Sequence, residues 1–220
     1  MGWAMTGGPT MRAMPSEQQA AGPVSAQDTN EFRFPDWNAP IDLHERLLRM
    51  PAEQTTKGMF MQQIIDQARA ASGTSLIQSS FLPFRDYPMS EWMELLVRGA
   101  EIAHPVVPVR EGIRRLGHLS YGMFAASSAG QVMIGVAGGS MSGLLRFVPR
   151  FYRITGRGGI ADVSFPAAHT AIVHLRDVWD FPDAYHVGVY EGVMRGVGAT
   201  GQVKVRTIGA SGADLEVVWS

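Results

Sequence analysis

The order of patterns along this chain predicts an α+β fold in which N-terminal helices pack on a four-stranded antiparallel sheet. Up to Gly159 the apolar residues recur at helical spacing, and beyond it they alternate in two pairs of short segments. A single helical stretch separates the two pairs. The result is helices followed by ββαββ, an arrangement that covers one sheet face with helices and leaves the other to water.

Residues 1–30 are rich in Gly, Pro, Ser, Gln and Ala without any period, and predict a disordered tail too poor in apolar surface to offset chain ordering. Residues 31–54 read as a short helical lead-in, where Asp42 can cap a helix bearing Leu43, Leu47 and Leu48 and Pro51 stops it. The α+β domain is expected over 55–220. Its first helix lies in "TTKGMFMQQIIDQARAAS", with Thr55 or Thr56 as cap and Met59, Phe60, Ile64 and Ala68 on one face. In "RDYPMSEWMELLVRGAEIAHP", Ser90 or the preceding turn starts a helix with Trp92, Leu95, Leu96 and Ile102 as its stripe, and Pro105 ends it. "PVREGIRRLGHLSYGMFAAS" repeats the logic with Ile113, Leu116, Tyr121 and Phe124. "QVMIGVAGGSMSG" fits either a short helix of small residues or a strand running into a Gly turn, and helix is preferred. "IADVSF" and "TAIVHLRDV" form a hairpin around Pro166, "QVKVRTI" and "DLEVVW" another around "GASGA", and "FPDAYHVGVYEGVMRGVG" is the intervening helix, ended by glycine.

Composition narrows the function classes. A net charge of −1 leaves no electrostatic footprint for nucleic acid or an anionic membrane surface. The absence of cysteine excludes disulfides, thiolate nucleophiles and cysteine-ligated metals. With no basic leader and no run of about 18 apolar residues, a cytoplasmic protein without a membrane span is expected. The glycines of "GVAGGSMSG" lack the Lys-Ser/Thr ending of a phosphate loop, and neither "GGSMSG" nor "IGASGAD" is a G-x-S-x-G elbow. Six histidines, His44, His104, His118, His169, His174 and His186, show no metal-binding spacing, and His174 and Asp177 fall on opposite faces of a regular strand. Glu91, Glu94 and Glu101 share a helix with Arg98 as a solvated charge network. No catalytic residue and no metal site is named.

The stretch "LLRFVPRFYRITGRGG", Leu144–Gly159, is amphipathic at helical period. Arg146, Arg150, Arg153 and Arg157 fall on one side and Leu144, Phe147, Val148, Phe151 and Ile154 on the other, with Tyr152 near the edge of the apolar face. The arginines form either a solvated face or a surface for an acidic partner or a neighbouring subunit. Trp92, Tyr121, Phe124, Phe147, Phe151, Tyr152 and Tyr185 either line an apolar ligand pocket or belong to the core.

From about Thr56 to Trp219 the chain resembles an uncharacterised paralogous family expanded in myxobacteria. The matching residues are "KGMF" at 57–60, "YPMSEWMELL" at 87–96, "GIRRLG" at 112–117, "LRFVPRFYR" at 145–153 and the ending "DLEVVW". More remotely, the same order is similar to haem-nitric-oxide-binding (H-NOX) domains, with the vinyl-reductase-like ligand domains and Bet-type vesicle-tethering subunits sharing that fold. In H-NOX proteins the helix corresponding to Leu144–Ile154 carries the proximal histidine, and the best ungapped match places Tyr152 at or beside it. No histidine lies between His118 and His169. The family's Tyr-x-Ser-x-Arg signature, which binds the haem propionates, is matched here by "LRDVW", Leu175–Trp179. The resemblance therefore implies an H-NOX-like, non-enzymatic signalling or protein-interaction module that has lost its haem anchors. It carries no cofactor, binds an apolar small molecule between its layers, and acts through a protein partner or self-association. The alternatives are a haem or other small-molecule sensor with Tyr152 as axial ligand, and an enzyme whose site has no recognisable motif.

Overall fold

A computed structural model of the chain describes Met1, residues 31–73 and residues 80–220. The tail expected over 1–30 lies, Met1 apart, outside the described residues. The chain runs α1 (Leu43–Arg49), β1 (Thr55–Lys57), α2 (Gly58–Ser72), β2 (Asp86–Pro88), α3 (Met89–Ala103), α4 (Val109–Ala126), α5 (Ser128–Val136) and α6 (Met141–Thr155). There follow β3 (Gly156–Arg157), β4 (Ile160–Ala167), β5 (Thr170–Arg176), α7 (Tyr185–Gly196), β6 (Gly201–Ile208) and β7 (Gly212–Trp219).

The last four strands make the expected antiparallel sheet, ordered β4-β5-β7-β6. Alternation along each strand puts Ala171, Val217 and Val203 in one cross-strand row and Val173, Leu215 and Val205 in the next, all buried. Against this face lie Val187, Tyr190, Val193 and Met194 of α7 and Met141 and Leu145 of α6. Helix α4 packs on α7 backbone to backbone. A Cβ at Gly117 would overlap the carbonyl oxygen of Tyr185, and one at Gly188 that of Arg114. Only glycine allows this approach. A second apolar cluster, centred on Met61, Ile64, Trp92, Leu96, Ile113 and Leu116, joins α2, α3 and α4.

Three local expectations are corrected. Thr55 and Thr56 do not cap α2. They sit in β1, the centre of a second sheet ordered β2-β1-β3. The first N–H groups of α2 are satisfied instead by the loop, with Gly58 donating to the Arg85 carbonyl (3.0 Å) and Met59 to that of Pro83 (3.0 Å). The segment before Ser90 is likewise the strand β2 rather than a turn, and Met89 donates to the Gln54 carbonyl at 2.9 Å. Pro166 lies within β4, at a register shift, and the hairpin turns at 168–169. Asp42 does cap α1, its Oδ1 accepting from the Glu45 N–H at 2.8 Å, and the segment left between helix and strand is helical, as α5. Among the described residues no helix is long and apolar enough to cross a membrane.

Candidate functional site

Helix α6 is capped by Ser140, whose Oγ accepts from the Gly143 N–H at 3.2 Å. Its polar face carries Arg146, Arg150 and Arg153, all exposed. The Arg146 guanidinium lies 4.4 Å from the centre of the Phe165 ring, and that of Arg150 lies 5.6 Å from the Phe147 ring. Arg157 does not join them. The helix ends at Thr155 and Gly156 is extended, so Arg157 falls in β3, its Nε 3.8 Å from Asp86. Ile154 also leaves the apolar face and is 52% exposed.

The other side of α6 borders a cavity of about 170 Å³. All seven aromatic candidates line it: Trp92 from α3, Tyr121 and Phe124 from α4, Phe147, Phe151 and Tyr152 from α6, and Tyr185 from α7. Several of these rings meet edge to face. Phe124 and Phe151 have centroids 5.2 Å apart at 79°, and Trp92 and Tyr185 5.3 Å apart at 86°. Helix α6 thus carries part of each set back to back: Phe147, Phe151 and Tyr152 line the cavity, and Arg146, Arg150 and Arg153 are exposed to water. Among the described residues no lysine or arginine lines the cavity, whereas Asp177 and Asp180 do.

Its polar end is a chain of hydrogen bonds that crosses three helices. Tyr152 Oη is 2.7 Å from His186 Nδ1, His186 Nε2 is 2.9 Å from Asp180 Oδ1, and Trp92 Nε1–H donates to Asp180 Oδ2 at 3.0 Å. His186 and Asp180 are 7% and 9% exposed. Burial pushes the Asp180 carboxyl up, but the charge and hydrogen bond of His186, the Trp92 N–H and a backbone N–H outweigh it and hold the group below its ordinary range. Burial, with Tyr190, Asp180 and Tyr185 adding to it, drives the Tyr152 phenol well above its ordinary value, so it stays protonated. Tyr185 is driven up by burial too, and its hydroxyl donates to Ser120 Oγ at 3.1 Å.

Asp180 is aimed by the connector between β5 and α7. Asp177 and Phe181 both have left-handed backbones, φ 54° and 58°, a conformation that costs energy in a non-glycine residue. The strain is held by contacts. Phe181 is 1% exposed with the Arg46 guanidinium 5.3 Å from its ring centre, and Gln54 Nε2 donates to the Asp177 carbonyl at 3.1 Å. Sequence reasoning missed Asp180 altogether and left His186 without a partner. The six-residue interval between them carries no motif, and only a left-handed turn closes it.

His174, expected to lie apart from Asp177, is engaged on the open face of the large sheet. Its Nδ1 is 2.9 Å from Asp214 Oδ1 and its Nε2 is 3.0 Å from Ser164 Oγ. The connectivity is that of a hydrolytic triad. However, Arg176 and Arg206 also bind the Asp214 carboxylate, leaving less of its charge for the imidazole, and Ser164 is exposed on a flat strand outside the cavity described above. Among the described residues no group of three metal-ligating side chains converges.

Helices stacked on a four-stranded antiparallel sheet, with a cavity among the helices, make a domain of H-NOX-like fold. The H-NOX domain from Shewanella oneidensis in the Fe(II)CO ligation state matches with a TM-score of 0.60 at 13% identity, over 74% of this chain and 98% of that one. The unliganded Fe(II) H-NOX protein from K. algicida matches with a TM-score of 0.54 at 11% identity, over 74% and 96%. An oxygen-binding H-NOX domain related to soluble guanylate cyclases matches with a TM-score of 0.54 at 14% identity, over 74% and 92%. By sequence, the chain belongs to the family described as "Protein of unknown function (DUF2378)", whose model matches residues 49–220. No curated protein matches the chain.

Proposed function

We propose that this domain is a non-enzymatic signalling or interaction module that takes up a small apolar molecule, without haem. The observation that carries the reading is the cavity: about 170 Å³ within the helical layer, walled by aromatic side chains, rather than between that layer and the four-stranded sheet as expected. An apolar cavity of about 150 Å³ is enough to bind benzene.

The residues do not fit a haem. Propionates need cationic partners, and among the described residues the cavity wall offers carboxyl groups but no lysine or arginine. An axial tyrosine would have to be tyrosinate, whereas burial favours the neutral phenol of Tyr152 and its hydroxyl is engaged with His186. The exposed Arg146, Arg150 and Arg153 on the outer side of α6 supply a surface for an acidic partner or a second copy, on the side of the helix opposite the cavity.

Two measurements test this. Haem added to the purified protein should give no sharp Soret band. A stoichiometric complex whose Soret band disappears in Tyr152→Phe would replace the proposal with a haem sensor. Native mass spectrometry should show either the bare chain or a chain with a small organic adduct, and an iron-porphyrin adduct would carry the same refutation.

A further inference from the structure

We infer that α5 is the door of the cavity, swinging outward about Gly138 to admit and release the apolar ligand. The inference deepens the ligand-binding reading above and rests on it.

A molecule enters a walled cavity where one wall gives way at low cost. Most walls here cannot. Trp92, Trp179, Tyr185 and Tyr190 are 1%, 6%, 5% and 4% exposed, so moving α3, α7 or the connector between β5 and α7 would open the core itself. Helix α4 is locked to α7 by the close approach at Gly117 and Gly188. Helix α6 is anchored by Met141 and Leu145, 4% and 1% exposed, which pack in the cluster facing the large sheet.

Helix α5 has no such hold. It is a single helix between cavity and water: Met133 and Ile134 line the cavity, while Val132 and Val136 are 68% and 71% exposed. Residues 119–145 contain no charged side chain, so no ion pair ties the helix down. Among the described residues none of its side chains makes a hydrogen bond either. Its two ends differ. At the first, Ser127 Oγ accepts from the Gly130 N–H at 3.0 Å, and Gly130 lies so close to the Phe124 carbonyl that a Cβ would overlap it. That end is fixed to α4. At the other, Gly138 and Gly139 are both left-handed, φ 74° and 63°, with nothing within 4 Å of where a Cβ would stand. Adjacent glycines in open space can absorb a large change in φ and ψ without collision. Ser140 then caps α6, so the change ends there.

Fluorobenzene, close to benzene in size and visible by fluorine NMR, serves as the probe on the full chain. Its release rate should follow the opening of α5. Gly138→Ala puts a side chain on a left-handed backbone, a cost that opening relieves, so release should quicken about tenfold. Gly198→Ala is the matched control, with φ 73° and equally open space, just past the end of α7 and outside the cavity wall. It carries the same backbone cost and should leave the release rate unchanged. Equal rates in the parent and both variants, or equal acceleration in both variants, would overturn the inference and leave the cavity reading intact. Hydrogen exchange on the parent chain decides even if Gly138→Ala fails to fold. Amides of α5 should exchange at least about tenfold faster than those of α7, and fluorobenzene should slow them by stabilising the closed form. Exchange in α5 as slow as in α7, or unmoved by bound fluorobenzene, would likewise overturn the inference alone. If natively folded protein binds no fluorobenzene, the ligand-binding reading falls and the door with it.

Discussion

Two chains of hydroxyl, imidazole and carboxylate occur in this molecule, and their contrast is instructive. Tyr152, His186 and Asp180 are linked inside the helical layer, while Ser164, His174 and Asp214 are linked on the open face of the sheet. Connectivity is the same and surroundings are opposite. The inner carboxylate takes a neutral indole N–H from Trp92, whereas the outer one takes the guanidinium groups of Arg176 and Arg206. The inner hydroxyl ends at a cavity and the outer one in water. The same connectivity therefore places one hydroxyl at a cavity beside a carboxylate free of guanidinium groups, and the other in water beside a carboxylate that two arginines already hold.

The harshest way to break the comparison is Asp180→Ala, which strips the partners from Trp92 Nε1 and His186 Nε2 in a dry interior. Denaturant unfolding should show a loss of about 3 kcal/mol. Asp214→Ala should cost less, about 1–2 kcal/mol, because His174, Arg176 and Arg206 are 32–41% exposed and can turn to water. The loss should shrink further in high salt. Comparable losses for the two variants would erase the distinction between the chains.

Acid sharpens the contrast. Asp180 and Asp214 both have folded-state values below the ordinary carboxylate range, Asp214 because its hydrogen bonds to Arg206, His174 and Arg176 outweigh the opposing effect of burial. A depressed carboxyl stabilises the fold above its unfolded value, near pH 4, and that stability drains as pH falls through the folded value. The parent chain should therefore lose stability below about pH 5, and Asp214→Asn should flatten the slope. Next in size is Tyr152→Phe, which removes one hydrogen bond and should cost about 1 kcal/mol in the melting curve. Smallest are Arg146→Gln and Arg150→Gln, whose exposed guanidinium groups should change stability by no more than about 0.5 kcal/mol each.

The large sheet and the helix between its hairpins were legible because alternation and helical period are local properties, written over eight or more residues in β4, β6, β7 and α7. The small sheet was not, since strands of two or three residues have no period to detect. Thr55 and Thr56 looked like caps because hydroxyls usually are, yet the carbonyls of Pro83 and Arg85 reach the helix end first. The arginine stripe was extended to Arg157 by assuming that the helix continues, and the extended Gly156 interrupts it. Of the cavity wall, the aromatic half was readable from helical faces. Asp180 was hidden because left-handed turns at an aspartate and a phenylalanine follow from tertiary contacts that no local pattern announces. Ser164, His174 and Asp214 come from three strands, and only their register brings them together.

The connector from Asp177 to Ala184 has a consequence for how such a domain can diversify. It supplies Asp177, Val178, Trp179 and Asp180 to the cavity wall, yet it belongs to neither the sheet nor a helix. Replacing a few residues there changes the wall of the cavity while the cross-strand rows and the glycine seam between α4 and α7 stay untouched. The scaffold and the cavity wall are thus written in separate stretches of the chain, and one short loop can vary without disturbing the layers.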